Sequence, residues 1–216
     1  MIDLHTHTLL SDGALLPAEL IRRAEAIGYT AIAITDHVDV SNFDFVIPRI
    51  VKACQKAAEQ CNNITVIPGA ELTHINPADI PFLVNESRAL GACLIVVHGE
   101  TIVEPVSPGT NRKALESEID ILAHPGLITD DEVKLAKERH IMLEVSARKG
   151  HCLTNGHVVK LAQHYGAPLI LNTDAHAPED LLTCKQAQNI ACGAGLTQED
   201  FQHMLQNSRQ LIQRII

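Results

Sequence analysis

The sequence predicts an α/β fold built from repeated βα units. Short runs rich in Ile, Val and Leu alternate from end to end with helical patterns, and neither a composition shift nor a Pro- or Ser-rich linker divides the 216 residues. Apolar content of 46% with 20% charged residues is that of an ordinary globular chain, long enough to bury a core without disulfide support.

Seven runs read as buried parallel strands: Ile2 to Leu4, Ala31 to Thr35, Thr65 to Gly69, Cys93 to Val97, Ile119 to Ala123, Ile141 to Val145 and Pro168 to Asn172. The helical patterns are Pro17 to Ile27, Pro48 to Gln60, Asp79 to Leu90, Asn111 to Glu116, Asp130 to Arg139, Thr154 to Tyr165, Glu179 to Ala191 and Gln198 to Ile212. Pro17 suits a first helical turn, Gly28, Gly91 and Gly166 close helices ahead of the next strand, and Thr197 reads as an N-cap. Right-handed crossovers place every strand's C-terminal end on one side. Ligands are expected there, whether the units form an open doubly wound sheet or a barrel. One domain spanning residues 1–216 is expected.

Net charge of −9 disfavours a broad basic surface for long duplex nucleic acid or an anionic membrane. With 4 Phe, 2 Tyr and no Trp, a base-stacking platform would be poorly supplied. No apolar run approaches the roughly 20 residues of a membrane span. The chain enters Ile2-Asp3-Leu4-His5 without the regions of a signal peptide, so a cytoplasmic location is expected. Cys54, Cys61, Cys93, Cys152, Cys184 and Cys192 contain no Cys-x-x-Cys pair and read as reduced, small buried hydrophobes.

Histidine is in excess, at twelve residues. His5 and His7, two apart at the end of the first strand, share a face. Asp12 follows in a loop, His37 ends the second strand, Glu71 the third, His98 the fourth, His124 the fifth, and Asp174 and His176 the seventh. Imidazoles and carboxylates are the ligand set for Zn, Mn or Fe. Nine donors exceed one coordination shell and imply two to three divalent ions, with Glu71 or Asp174 suited to bridge.

In order along the chain, His5-Thr6-His7-Thr8, Asp12-Gly13, Thr35-Asp36-His37, Gly69-Ala70-Glu71, His98, His124-Pro125-Gly126 and Asp174-Ala175-His176 resemble the motifs of the PHP (polymerase and histidinol phosphatase) family. The resemblance implies a distorted (βα)7, TIM-barrel-like fold with a trinuclear metal site at the strand C-termini and phosphoester hydrolysis by a metal-bridging hydroxide. Carried over by position, one metal takes His5, His7, Glu71 and Asp174, the second Glu71, His98 and His124, and the third Asp12, His37 and His176. Some family members carry His at the position of Asp12, and the aspartate makes the third site harder, favouring Mn or Fe over Zn.

Glu71, Arg148 and His151 are the expected catalytic side chains, His151 as the acid that protonates the leaving group. Arg148 or Lys149, beyond the sixth strand, would clamp phosphate, with Arg112 a further candidate. Asp3 and Asp36 are candidate acceptors for imidazole N–H groups. His74, His140, His157, His164 and His203 read as surface or packing residues. The expected activity is hydrolysis of a small phosphomonoester, histidinol phosphate or a nucleotide. The alternatives are an exonuclease or phosphodiesterase of nucleotides or short oligonucleotides, and a non-catalytic metal-stabilised module.

Overall fold

The computed structural model describes residues 1–60 and 63–216, so the expectation for Cys61 falls outside it. The strands are β1 (Ile2–Asp3), β2 (Ala31–Ile34), β3 (His37–Val38), β4 (Thr65–Leu72), β5 (Leu94–His98), β6 (Ile121–Ala123), β7 (Met142–Ser146) and β8 (Leu169–Asn172). All pair in parallel, in the order β1-β2-β4-β5-β6-β7-β8, with β3 on β4. The second predicted strand is thus broken in two, Ile34 lying opposite Pro68 and His37 opposite Glu71. Pro68 offers no N–H to the ladder, and at the break Thr35 and Asp36 bond the segment after β1: Thr35 Oγ1 accepts from Thr6 N–H (3.1 Å) and Asp36 Oδ1 from Thr8 N–H (2.7 Å).

β1 and β8 bring the sheet round into a nearly closed barrel. Thr6 bridges Ala175, Asp174 N–H donates to the His5 carbonyl (3.0 Å) and His7 N–H to the Ala175 carbonyl (2.9 Å). Lower down, side chains replace the ladder: Asn172 Oδ1 accepts from Leu4 N–H (2.9 Å), and the Asp3 carboxylate accepts from Thr173 N–H (3.1 Å) and Thr173 Oγ1 (2.5 Å). This mixed seam is the distortion of the barrel.

Aliphatic side chains fill the interior, among them Leu4, Ile67, Leu94, Val96, Ile121 and Ile170, with Ala31, Ala33 and Ala123 leaving room for them. A second layer lies between strands and helices. The helices are α1 (Pro17–Ala26), α2 (Phe43–Ala58), α3 (Ile80–Ala89), α4 (Thr110–Leu115), α5 (Asp130–Glu138), α6 (Asn155–Tyr165), α7 (Cys184–Gly193) and α8 (Gln198–Ile215). α8 packs on β8 and β1, and its Leu211 joins the interior cluster. Truncating that side chain to Ala would cost about 2–5 kcal/mol.

Two helices depart from expectation. α2 starts ahead of Pro48 because Val46 and Ile47 already bury an apolar stripe, which outweighs the hydrogen bond a proline forgoes. α7 starts late, at Cys184, where Thr183 and Gln186 form a capping box after a 3-10 turn at Pro178–Asp180. Of the described cysteines only Cys54 is buried, which corrects the expectation for Cys93, Cys152, Cys184 and Cys192. No described helix is long and apolar enough to cross a membrane.

Candidate metal centre

Regular pairing of β1 ends at Asp3, and the alternation of side chains shifts phase beyond it. Ile2 and Leu4 face the barrel interior, and His5 and His7 nevertheless reach the mouth above it. The shift is possible because backbone N–H groups there are satisfied by side chains, His5 N–H by Asp3 (3.4 Å) and Leu4 N–H by Asn172 (2.9 Å).

The paired histidines meet two carboxylates. His5 Nε2 is 3.3 Å from Glu71 Oε1 and 3.8 Å from Asp174 Oδ1, while His7 Nε2 is 3.6 Å from Glu71 Oε2 and 3.2 Å from Asp174 Oδ1. From beyond β6, His124 Nε2 approaches Glu71 (3.6 Å) and Asp174 (3.7 Å). Toward solvent, Asp12 Oδ1 lies 3.1 Å from His176 Nε2 and 3.5 Å from His37 Nε2. His37 Nδ1 is 2.6 Å from both Thr73 Oγ1 and Glu71 Oε2. His98 closes β5 beside His124, with ring centroids 4.4 Å apart. All nine sequence-predicted donors therefore converge on one mouth, but the carboxylate facing His98 is Glu104 (3.1 Å), not Glu71.

The rings are aimed from behind. His5 Nδ1 lies 2.8 Å from Glu144 Oε2, His98 Nδ1 3.2 Å from the Gly99 carbonyl and His176 Nδ1 2.9 Å from the Asp174 carbonyl, so each presents Nε2 inward. Neither Asp3 nor Asp36 supports an imidazole: Asp3 closes the β1–β8 seam, and Asp36 accepts from Thr8 and Ser11. Asp36 adjoins His37, and adjacent side chains in an extended segment point to opposite faces.

Three site residues escape sequence reasoning: Glu144, Glu104 and His74. Glu144 carries a signal, an acidic residue amid the apolar run of β7, with Met142 and Glu144 two apart on its inner face. Glu104 arrives on the loop between β5 and α4. Gly99 and Gly126 permit the close approach that seats this loop, since a Cβ on Gly126 would lie 1.8 Å from the Glu100 carbonyl oxygen and one on Gly99 2.4 Å from that of Ala123. His74 lies 3.1 Å from Glu104 and is not an isolated surface histidine. His157, by contrast, bonds the Ile128 carbonyl (2.7 Å) away from the mouth.

These placements set the protonation states. Burial opposes the charge on His5, yet Glu144, Glu71 and Asp174 together raise its pKa well above the ordinary imidazole value. His7 goes the other way, lowered well below by burial and the neighbouring His37. Burial opposes ionisation of Glu71, but His5 and His37 hold its pKa well below the usual carboxylate range, whereas burial raises Asp174. The hydrogen bond from His98 holds Glu104 at about 2. His151 reaches the mouth, its Nδ1 2.8 Å from Thr101 Oγ1, but burial and His124 lower its pKa to about 3. It is therefore a neutral imidazole at neutral pH, ill suited to the acid role expected of it.

A cleft of about 420 Å³ opens over the cluster and is lined by Asp12, His37, His98, Arg148, Asp174 and His176 among others. Among the described residues, Arg148 is the one Arg or Lys in that lining, its Nη1 3.2 Å from the Asp174 carbonyl. Lys149 is exposed outside the lining, and Arg112 pairs with Glu116 (2.7 Å) on the solvent face of α4. The structure brings neither to the cleft.

Burial without compensation tests whether these residues fit a metal. His5 Nε2, both His7 ring nitrogens, both Glu71 oxygens, His124 Nδ1, Glu144 Oε1 and Asp174 Oδ1 are buried without a hydrogen-bond partner. Such atoms cost about 1–3 kcal/mol each unless something pairs them. Concentrated in one barrel mouth and all of metal-ligand type, they fit divalent cations. His7, Asp12, His37 and His176, and separately His5, His7 and Glu71, offer atoms within 4.8 Å of one another.

A parallel barrel with imidazoles and carboxylates gathered at its strand C-termini defines a metal-binding class of site. The PHP domain family model matches residues 3–164, and the chain belongs to that family. The match stops short of β8, after which Asp174 and His176 stand. The chain is 46% identical over 215 residues to an uncharacterized protein of Methanocaldococcus jannaschii, covering 99% of each. It is 26% identical to a probable phosphatase of Clostridium acetobutylicum over 82% of this chain and 79% of that one, and 27% identical to ribonuclease P protein component 3 of Methanosarcina mazei over 88% and 79%. Among solved structures, a chain of archaeal ribonuclease P with mature tRNA superposes with a TM-score of 0.72 at 16% identity, covering 98% of this chain and 89% of that one. Histidinol phosphate phosphatase from Lactococcus lactis, complexed with zinc, L-histidinol and phosphate, gives 0.62 at 16%, covering 91% and 94%. At these identities the two structures speak to the fold.

Proposed function

We propose that this chain is a metal-dependent phosphoesterase whose substrate is a small phosphomonoester bound in the cleft beside Arg148. The observation that carries this reading is the set of orphaned buried donors beneath a cleft of about 420 Å³ whose lining includes a guanidinium. His5, His7, Glu71 and Asp174 would hold one ion, Asp12, His37 and His176 another, and His98 with His124 a third. Bound Zn, Mn or Fe would supply Lewis acidity toward phosphoryl oxygens and a nucleophile at neutral pH.

The chain's own residues do the rest. Arg148 would bind two phosphate oxygens with its fork, held in place by the Asp174 carbonyl (3.2 Å) and by Asp180 (3.9 Å). His7 is kept neutral by burial and so offers a lone pair rather than a proton. Glu144 fixes the orientation of His5, and Thr73 that of His37. The size of the cleft suits a metabolite or nucleotide.

A second reading, a module serving an RNA-processing assembly, is favoured by the likeness to ribonuclease P protein component 3. The net charge of −9 and the complete donor set weigh against it. One assay separates them: metal-loaded protein is offered histidinol phosphate, nucleoside monophosphates and a dinucleotide diester. Turnover of a monoester is expected. Preference for the diester would replace the substrate class, and no turnover after loading with Zn, Mn and Fe in turn would favour the non-catalytic reading.

A further inference from the structure

Asp36 lies in the break between β2 and β3 and is fully buried. Its Oδ1 accepts from Thr8 N–H (2.7 Å), Ser11 N–H (3.1 Å) and Ser11 Oγ (2.8 Å), and its Oδ2 accepts from Thr8 Oγ1 (2.8 Å). All four donors belong to the short segment that follows His7. Both oxygens of one buried side chain therefore hold that segment to the end of β2.

The next residue along the segment is Asp12. Beyond it the chain is tied down again: Gly13 N–H donates to the Thr8 carbonyl (2.9 Å) and Ala14 N–H to the His176 carbonyl (2.6 Å). The turn folds so closely back on the chain that a Cβ on Gly13 would lie 2.5 Å from the His7 carbonyl oxygen. Asp12 itself is poorly packed, with a side chain 56% exposed, yet its Oδ1 stands 3.1 Å from His176 Nε2 and 3.5 Å from His37 Nε2. Its own contacts with the core cannot place it there. The anchored backbone does, and a carboxylate whose backbone is already fixed loses less conformational freedom when a cation binds.

We propose that Asp36 is a positioning residue for the cation held by Asp12, His37 and His176, acting through the Thr8–Ser11 segment to present the Asp12 carboxylate. The proposal rests on the reading of the mouth as a metal centre. The dipeptide Asp36-His37 then serves that ion twice. His37 faces the mouth as a ligand, and Asp36, on the opposite side of the chain, grips the loop that carries another. Donor atoms of His7, Asp12, His37 and His176 lie within 4.8 Å of one another, so a loop displaced by more than a fraction of that distance would take Asp12 out of the set.

The test is zinc binding by the full chain, read by competition with a chromophoric chelator, for the parent, Asp36→Ala, Asp12→Asn, the double variant and Ser11→Ala. Circular dichroism checks folding, and denaturant unfolding without metal gives stability. Asp36→Ala is expected to bind one equivalent about 10-fold or more weakly while the others keep parental affinity. In the Asp12→Asn background the same substitution should cost no further affinity, because the ligand it acts through is gone, while its cost in metal-free stability should be the same in both backgrounds. A purely structural role would lower stability and leave zinc affinity alone. Ser11→Ala removes one of the four donors and covers loss of Asp36→Ala by misfolding; it should weaken the same equivalent by about 3-fold. Parental zinc affinity in either folded variant, or an equal loss of affinity with and without Asp12, would overturn the proposal and leave the metal centre standing. A parent that takes up no zinc would overturn the metal-centre reading and the proposal with it.

Discussion

His5 Nδ1 lies 2.8 Å from Glu144 Oε2, inside the barrel, with both side chains fully buried. Asn172 Nδ2 donates to the same Glu144 oxygen at 2.9 Å, so the carboxylate is itself held. Glu144 thus fixes the ring of His5 with Nε2 turned toward Glu71 and Asp174. Replacing Glu144 with Gln should leave a folded barrel but weaken metal binding by about 10–100-fold, the usual cost of losing a partner behind a ligand. A competitive chelator titration would reveal it, and unaltered affinity would show that the pair serves packing alone.

Glu71 stands within 4 Å of nitrogens on His5, His7, His37 and His124. Glu71→Ala or His7→Ala should reduce hydrolysis of p-nitrophenyl phosphate by more than about 1000-fold, equivalent to about 4 kcal/mol of transition-state stabilisation. Steady-state kinetics on metal-loaded variants with parental circular dichroism is the measurement; retained turnover would refute the mechanism.

Chelation should destabilise the fold. Ions held at a thousandfold excess over Kd contribute about 4 kcal/mol each, and a chain of this size loses about 2–4 °C in Tm per kcal/mol. Calorimetry with and without a strong chelator should therefore show a drop on the order of 10 °C for each ion lost, restored by adding metal.

Asp3 should make stability fall with rising pH over a defined window. Burial raises its carboxyl from 3.8 to about 6 despite the bonds from Thr173. Between those values the unfolded chain gives up the proton that the folded chain keeps, so raising the pH favours unfolding and the contribution is lost by about pH 6. A shift of about 2 units corresponds to about 3 kcal/mol. Denaturant unfolding of the parent and Asp3→Asn at pH 4 to 7 should show the parent losing ground relative to the variant up to pH 6 and holding constant above it.

Arg148 and Arg112 offer a paired test. Arg148→Ala should raise KM for a phosphomonoester by about 10-fold or more, the loss of a charge-assisted hydrogen-bonded contact, and Arg148→Lys should rescue it only in part because an ammonium lacks the planar fork. Arg112→Ala, on the far face of α4, should leave both kcat and KM unchanged. Equal effects of the two substitutions would show that the cleft does not bind phosphate where Arg148 stands.

Much of the site is legible without coordinates because topology does the aligning. In a parallel βα array every strand ends on the same side, so His5, His98 and His124, far apart in sequence, read as neighbours. What failed were inferences from nearness along the chain. Asp36 adjoins His37 and for that reason faces away from it, and Asp3 shares the parity of His5 but is separated from it by the phase shift after β1. Glu104 and His74 were invisible because loop residues have no periodicity to place them, and the seat of the loop depends on the close approach at Gly126.

The sequence by itself determined the α/β class, the nine donors at the strand ends and, through its motifs, the family. These are local and periodic properties, written in short apolar runs and in spacing. Only the tertiary structure decided which carboxylate faces which imidazole: Glu144 behind His5, Glu104 before His98, and Arg148 rather than Arg112 in the cleft. Such contacts depend on loop paths and on side chains that replace the barrel's ladder at the β1–β8 seam, and a distance of 3 Å between residues from different units has no signature along a single chain.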